Sequence, residues 1–113
     1  MKYMLLIRPD RDFDGPVPAE MIAATEAWVE EMTARGVRLH GDALRPASEA
    51  TGVSRRDGRV VTTDGPFAEA KEQMGGYDLI ECRDLDEAIE IAAKHPVAEI
   101  GMVEIRAVRE IAG

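Results

Sequence analysis

The sequence predicts an α+β fold: a ferredoxin-like sheet with two helices on one face and an inserted β-hairpin. Three observations carry this. Strand-like apolar runs and two segments of helical period follow one another in the order β, α, β, hairpin, β, α, β. Right-handed crossovers then place both helices on the same side of one sheet. An Asp-Gly pair next to β-branched residues marks the hairpin.

At 113 residues the chain makes a single domain, 1–113, with room for one core. Residues 2–8 (KYMLLIR) are a near-continuous apolar run stopped by Pro9 and Asp10, which reads as a buried first strand. Arg8 lies at its end, where it either reaches an anion or closes the sheet edge. A polar loop follows to Pro18. Residues 18–35 place Met21, Thr25, Trp28, Val29 and Met32 on one helical face, and Gly36 is a natural stop. Trp28 on that stripe belongs to the core or to a subunit interface. Residues 37–44 alternate weakly, with Val37, Leu39, Gly41 and Ala43 on one face and Arg38, His40 and Asp42 on the other. His40 is thereby expected to be a solvated or hydrogen-bonded strand residue.

Residues 49–63 form the hairpin, turning at Arg56-Asp57-Gly58. Residues 77–82 set Tyr77, Leu79 and Glu81 against Asp78, Ile80 and Cys82. Residues 84–95 read as the second helix. Asp84 and Glu87 make a capping box, Leu85, Ala88, Ile89 and Ala92 supply the apolar stripe, and Pro96 prevents continuation. Lys94 and His95 fall in the last turn, where positive charge suits the helix dipole. His95 either bonds the free carbonyls there or carries protons across a cleft. Residues 102–109 close the chain as a strand. One sheet face is left bare by this arrangement, and a second copy of the chain is the expected cover.

Composition excludes several classes of function. The formal net charge of −8 leaves no basic face for nucleic acid and disfavours anionic membranes. No apolar run approaches the roughly 20 residues that span a bilayer. The apolar part of the N-terminus is too short for a signal peptide, and Arg8 interrupts it. Cys82 is the only cysteine, which fits a reducing cytoplasm, and two distant histidines make no metal motif. No phosphate-binding glycine loop is present, so no cofactor is expected.

The stretch that organises the rest is residues 63–77, TDGPFAEAKEQMGGY. Asp64-Gly65 signals a turn, Pro66 stiffens it, and Phe67 needs a pocket. Residues 68–73 favour one helical turn, ended by Gly75-Gly76. The functional reading makes Asp64 a carboxylate at the mouth of a cleft, and the structural reading makes the stretch a pinned crossover.

Asp64-Gly65-Pro66-Phe67, then Glu69, Lys71-Glu72, Gly75-Gly76-Tyr77, His95-Pro96 and the closing Val103-Glu104-Ile105-Arg106 resemble the YCII-related family, in particular its DGPF-motif group. The opening MKYMLLI resembles it too. The resemblance implies a dimeric α/β barrel built from ferredoxin-like subunits. It also implies an enzyme working through an Asp and a His, in a family whose function is largely unassigned. The first-helix histidine of members outside that group has no counterpart here, which leaves His95.

On this reading the protein is a cofactor-free small-molecule enzyme of the proton-transfer, isomerase or lyase type. His95 is the general base or acid, and Asp64 orients it or shares the proton. Lys71 or Arg8 binds a carboxylate or enolate oxygen, and Phe67 and Tyr77 line an apolar wall. The alternative, by analogy with fused relatives, is a non-catalytic partner of sigma-factor-type transcription proteins.

Overall fold

Alternation along the first strand divides the molecule into two faces. A computed structural model describes residues 1–10, 16–65 and 74–111. Its elements run β1 (Lys2–Pro9), α1 (Ala19–Ala34), β2 (Arg38–Ala43), β3 (Thr51–Arg56), β4 (Arg59–Asp64), β5 (Gly76–Glu81), α2 (Leu85–Ala93), α3 (Val97–Ile100) and β6 (Gly101–Ala107). Tyr3, Leu5 and Ile7 of β1 point to one side and are buried, while Met4, Leu6 and Arg8 point to the other and stay half-buried.

Four strands form one sheet in the order β2-β5-β1-β6, and every neighbouring pair is antiparallel. Leaving out the hairpin, this is the strand order of a ferredoxin-like α+β fold. The helices cover the side that carries Leu5, Ile7 and Ile80, where Trp28 and Met32 of α1 meet Ala88 and Ile91 of α2 and Val97 of α3. The indole Nε1–H of Trp28 donates to the Ile91 carbonyl at 3.0 Å, which ties α1 to α2 inside the core. Burying these side chains supplies about 1.5–3 kcal/mol each for the larger ones.

Local chemistry explains most element ends. The Glu87 N–H donates to Asp84 Oδ1 at 2.9 Å, capping α2, and the Glu87 carboxylate accepts from the Arg83 N–H at 2.9 Å. The return bond thus lands one residue before the expected box. Asp57 and Gly58 both adopt positive φ, 51° and 77°, as a two-residue hairpin turn that matches strand twist requires. Gly65 also takes a left-handed φ, 80°, and its N–H reaches the Ala50 carbonyl, closing the base of the β3–β4 arm.

Two expectations about α2 need correction. Leu85 and Ile89 do not face the core but stand about half exposed, and Ile91 is buried with Ala88 and Ala92 instead. The short α3 beyond Pro96 was not foreseen, and the side of α2 that meets α1 is the one at Ile91, whose carbonyl accepts from Trp28. The β3–β4 pair forms a separate two-stranded sheet whose Val53 and Val60 are 70% and 65% exposed. The radius of gyration is 15.9 Å, against about 13 Å for a compact chain of this length. Among the described residues no helix is long and apolar enough to cross a membrane.

Replacing Asp84 with Ala removes the α2 cap. Urea unfolding is expected to show a loss of about 1 kcal/mol with an unchanged slope, since the surface exposed on unfolding stays the same.

Candidate functional site

The site begins with one extra residue in β2. Arg38 pairs with Ile80 and His40 with Leu79, so Leu39 is a bulge. The bulge re-phases the strand. Arg38 and Gly41 face the helices, and His40 and Asp42 face the open side, opposite Leu79 and Tyr77. Simple alternation had grouped Arg38 with His40, and the bulge separates them.

On the helix side Arg38 meets Asp78 of β5, a carboxylate only 6% exposed. Arg38 Nε donates to Asp78 Oδ1 at 2.8 Å, and Nη2 donates to the Gly41 carbonyl at 2.8 Å. A Cβ on Gly41 would collide with Asp78 Oδ1, the Tyr77 carbonyl and Arg38 Nη2, so glycine lets the ion pair lie flat on β2. Burial pushes the Asp78 carboxyl above its ordinary value, although the Arg38 guanidinium pulls it down. Asp78 therefore holds a proton more readily than an exposed aspartate.

His95 stands at the end of α2, 4% exposed. Its Nδ1 accepts the Val97 N–H at 3.1 Å, which leaves the ring proton on Nε2. The Trp28 ring meets it edge-on with centroids 4.8 Å apart. Burial lowers its pKa to about 4. His95 is thus neutral near pH 7. The positive charge expected for the end of α2 comes from Lys94 alone, which pairs with Glu31 at 2.7 Å.

Both groups line one cleft of about 540 Å³ between α1 and the sheet. Ile7, Gly41, Gly76 and Asp78 form its floor, Met21, Ile22 and Val29 of α1 one wall, and His95 with Val97 another. Among the described residues, Asp78 Oδ2 and His95 Nε2 have no hydrogen-bond partner, yet no buried side-chain polar atom is left unsatisfied. Neither atom is committed to a partner among the described residues. The arrangement offers an acceptor of raised proton affinity and a neutral N–H donor within an apolar wall.

The residues singled out from sequence are distributed unevenly. His95 and Tyr77 line the cleft. The Tyr77 hydroxyl, however, lies 3.0 Å from His40 Nδ1, and His40 Nε2 lies 3.6 Å from Asp42 Oδ2. Arg8 sits on the open sheet face with its Nε 2.9 Å from Glu104. Asp64 ends β4 at the exposed base of the arm, opposite Thr51, and does not line the cleft. No hydrogen bond joins it to His95. Phe67 and Lys71 lie outside the described residues. Asp78 and Arg38 were passed over, although an acidic residue sharing a strand face with Ile80 and Cys82 was a visible signal. Among the described residues no group of three or more His, Cys, Asp or Glu could hold a metal ion.

Comparison with known proteins places this architecture. Residues 1–112 match the YCII-related domain. The chain belongs to the YCII-related family. An uncharacterized protein of Rhizobium meliloti (strain 1021) is 45% identical over 49 residues, which is 43% of this chain and 40% of that protein. The chain thus matches less than half the length of that relative. Family membership agrees with the sheet order and helix layer described above.

The buried imidazole has a consequence for pH. Unfolded His95 titrates near 6.5 and folded His95 near 4. Its contribution is full above pH 6.5 and declines as pH falls toward 4, because only the unfolded chain takes up the proton. The expected loss between pH 7 and pH 5 is about 2 kcal/mol. Asp78 acts in the opposite sense, since its raised carboxyl favours the fold as pH falls. Urea titrations of wild type and His95→Gln at both pH values separate the two. The decline attributable to His95 disappears in the variant, whose amide oxygen still accepts from Val97.

Proposed function

We propose that this YCII-related chain is a cofactor-free enzyme that moves a proton on a small carbonyl compound held in the helix–sheet cleft. The observation that carries the reading is the pairing of a buried carboxylate with a buried neutral imidazole in one apolar pocket. Asp78 is the base. It removes a proton from the carbon next to the carbonyl, the C–H electron pair forms a carbon–carbon double bond, and the carbonyl π pair moves to oxygen. The His95 Nε2–H donates a hydrogen bond to that oxygen as charge builds. In a substrate with a carbon–carbon double bond β,γ to the carbonyl the enolate is a dienolate. Asp78 then returns the proton to its γ-carbon as the oxygen pair re-forms the carbonyl and the double bond moves to the α,β position; in a saturated substrate the proton returns to the α-carbon. The isomerisation balances without oxidant, reductant or water.

This assignment revises the roles expected from sequence. With its proton on Nε2 and a pKa of about 4, His95 is a weak base at neutral pH but a sound donor. Arg38 holds Asp78 Oδ1 and leaves Oδ2 for the substrate.

The test is exchange of α-hydrogens for deuterium in D2O, followed by NMR over a panel of cyclic ketones and lactones. Wild type is expected to accelerate exchange in at least one compound. Asp78→Asn is expected to lose about 10²-fold or more of that rate, the usual worth of a positioned base. His95→Phe is expected to lose about 10²-fold, as for one oxyanion donor. Circular dichroism confirms that both variants fold. Wild-type rates in folded Asp78→Asn would refute the base assignment.

The same reading includes a second copy on the open sheet face. Met4, Leu6, Tyr77 and Leu79 stand there half-buried, framed by Arg8, Glu104 and Arg106. An isologous dimer would cover this apolar centre and leave the clefts on the outer, helical sides. Sedimentation equilibrium is expected to give a dimer for wild type and a monomer for Leu79→Lys. A wild-type monomer at micromolar concentration would rule the arrangement out.

A further inference from the structure

We infer that the cleft is built for an uncharged, predominantly apolar carbonyl compound and discriminates against carboxylates and phosphates. This rests on the site assignment above and adds the class of substrate. The argument is one of charge already committed. Among the described residues two guanidiniums line the cleft, Arg38 and Arg45. Arg38 is engaged by Asp78 at 2.8 Å, and Arg45 by both oxygens of Glu49, at 3.1 and 2.9 Å. With Glu49 on Arg45, three carboxylates stand against these two guanidiniums among the described residues, because Glu26 and Asp78 line the same space. No lysine among the described residues does. A ligand carboxylate would therefore enter a region with more negative than positive charge, on a chain whose net charge is −8.

Backbone donors do not compensate. The Val97 N–H is taken by His95 Nδ1. The N-terminus of α1, which borders the cleft through Met21 and Ile22, already carries Glu20 in its first turn. A second anion beside Asp78 would share one guanidinium with it, in surroundings where burial already disfavours the first charge. A cationic group meets the carboxylates but leaves His95 without a partner. The His95 Nε2–H is a donor and needs an acceptor, which an ammonium group lacks. A carbonyl oxygen without net charge meets His95, leaves the Arg38–Asp78 pair intact and lets the remaining skeleton bury against Ile7, Val29 and Val97.

The chain supplies its own reporter. Trp28 is the single tryptophan, and its ring lies against His95. The experiment titrates the full chain at pH 7.5 with two probes of one skeleton, methyl cyclohexanecarboxylate and cyclohexanecarboxylate. Trp28 fluorescence and equilibrium dialysis are read in parallel, so a silent fluorophore does not hide binding. The ester is expected to bind at least tenfold more tightly than the carboxylate. Asp78→Asn is expected to narrow that gap by tenfold or more, because the repelling charge is gone.

Equal or tighter binding of the carboxylate to wild type overturns the inference, and so does failure of both probes to bind at millimolar concentration. A gap that Asp78→Asn leaves unchanged overturns its electrostatic basis. The outcome separates from the catalytic reading. Ester preference without deuterium exchange leaves a binding site for neutral carbonyl compounds. Exchange together with carboxylate preference leaves the chemistry standing and removes only the substrate class.

Discussion

The ion pair between Arg38 and Asp78 is the interaction on which the site depends. A carboxylate on the helix side of a central strand would be prohibitively costly alone, and it is tolerated because a guanidinium lies at hydrogen-bond distance. That guanidinium reaches it only because β2 carries an extra residue at Leu39, and the pair fits only because residue 41 has no side chain. Three local features of two neighbouring strands thus combine into one polar island. Such a pair adds little net stability compared with apolar packing.

The second polar group is held by helix packing. The Trp28 indole spans from α1 to the Ile91 carbonyl and presents its ring edge to His95. The docking of α1 on α2 therefore sets the position of the imidazole, while the Val97 N–H sets its tautomer. Burial keeps it neutral. The cleft joins a strand-borne acid and a helix-borne donor through the layer between them, and its polar groups sit on the rigid part of the fold rather than on the arm. Rigid placement of this kind is what electrostatic stabilisation of a developing oxyanion requires.

The sheet's other face and the β3–β4 arm have a different character. The open face combines apolar side chains at its centre with an Arg8–Glu104 pair at its rim, and the arm extends valines into solvent. Neither contributes a side chain to the polar island within one chain. Asp64, at the junction of the arm with the chain's most distinctive motif, belongs to this part of the molecule.

The sequence by itself determined the order of elements, because periodicity and turn chemistry are local. The Asp57-Gly58 turn, the Asp84 cap, the glycine after α1 and the alternation of residues 2–8 needed only neighbours in the chain. The inserted hairpin was legible for the same reason. Tertiary structure alone decided which side chains meet. An alternating pattern cannot reveal a one-residue bulge, so the faces of Arg38 and His40 came apart only when β2 was paired with β5. The helical stripe of α2 could not reveal that Ile91 would be buried and Leu85 and Ile89 left exposed, because α1, whose Trp28 reaches the Ile91 carbonyl, is distant in sequence. Histidine chemistry depends on solvent access, and the residues that exclude water from His95 come from α1 and α3, distant in sequence. Proton affinity and facing direction are properties of the packed layers, which no stretch of the chain contains on its own.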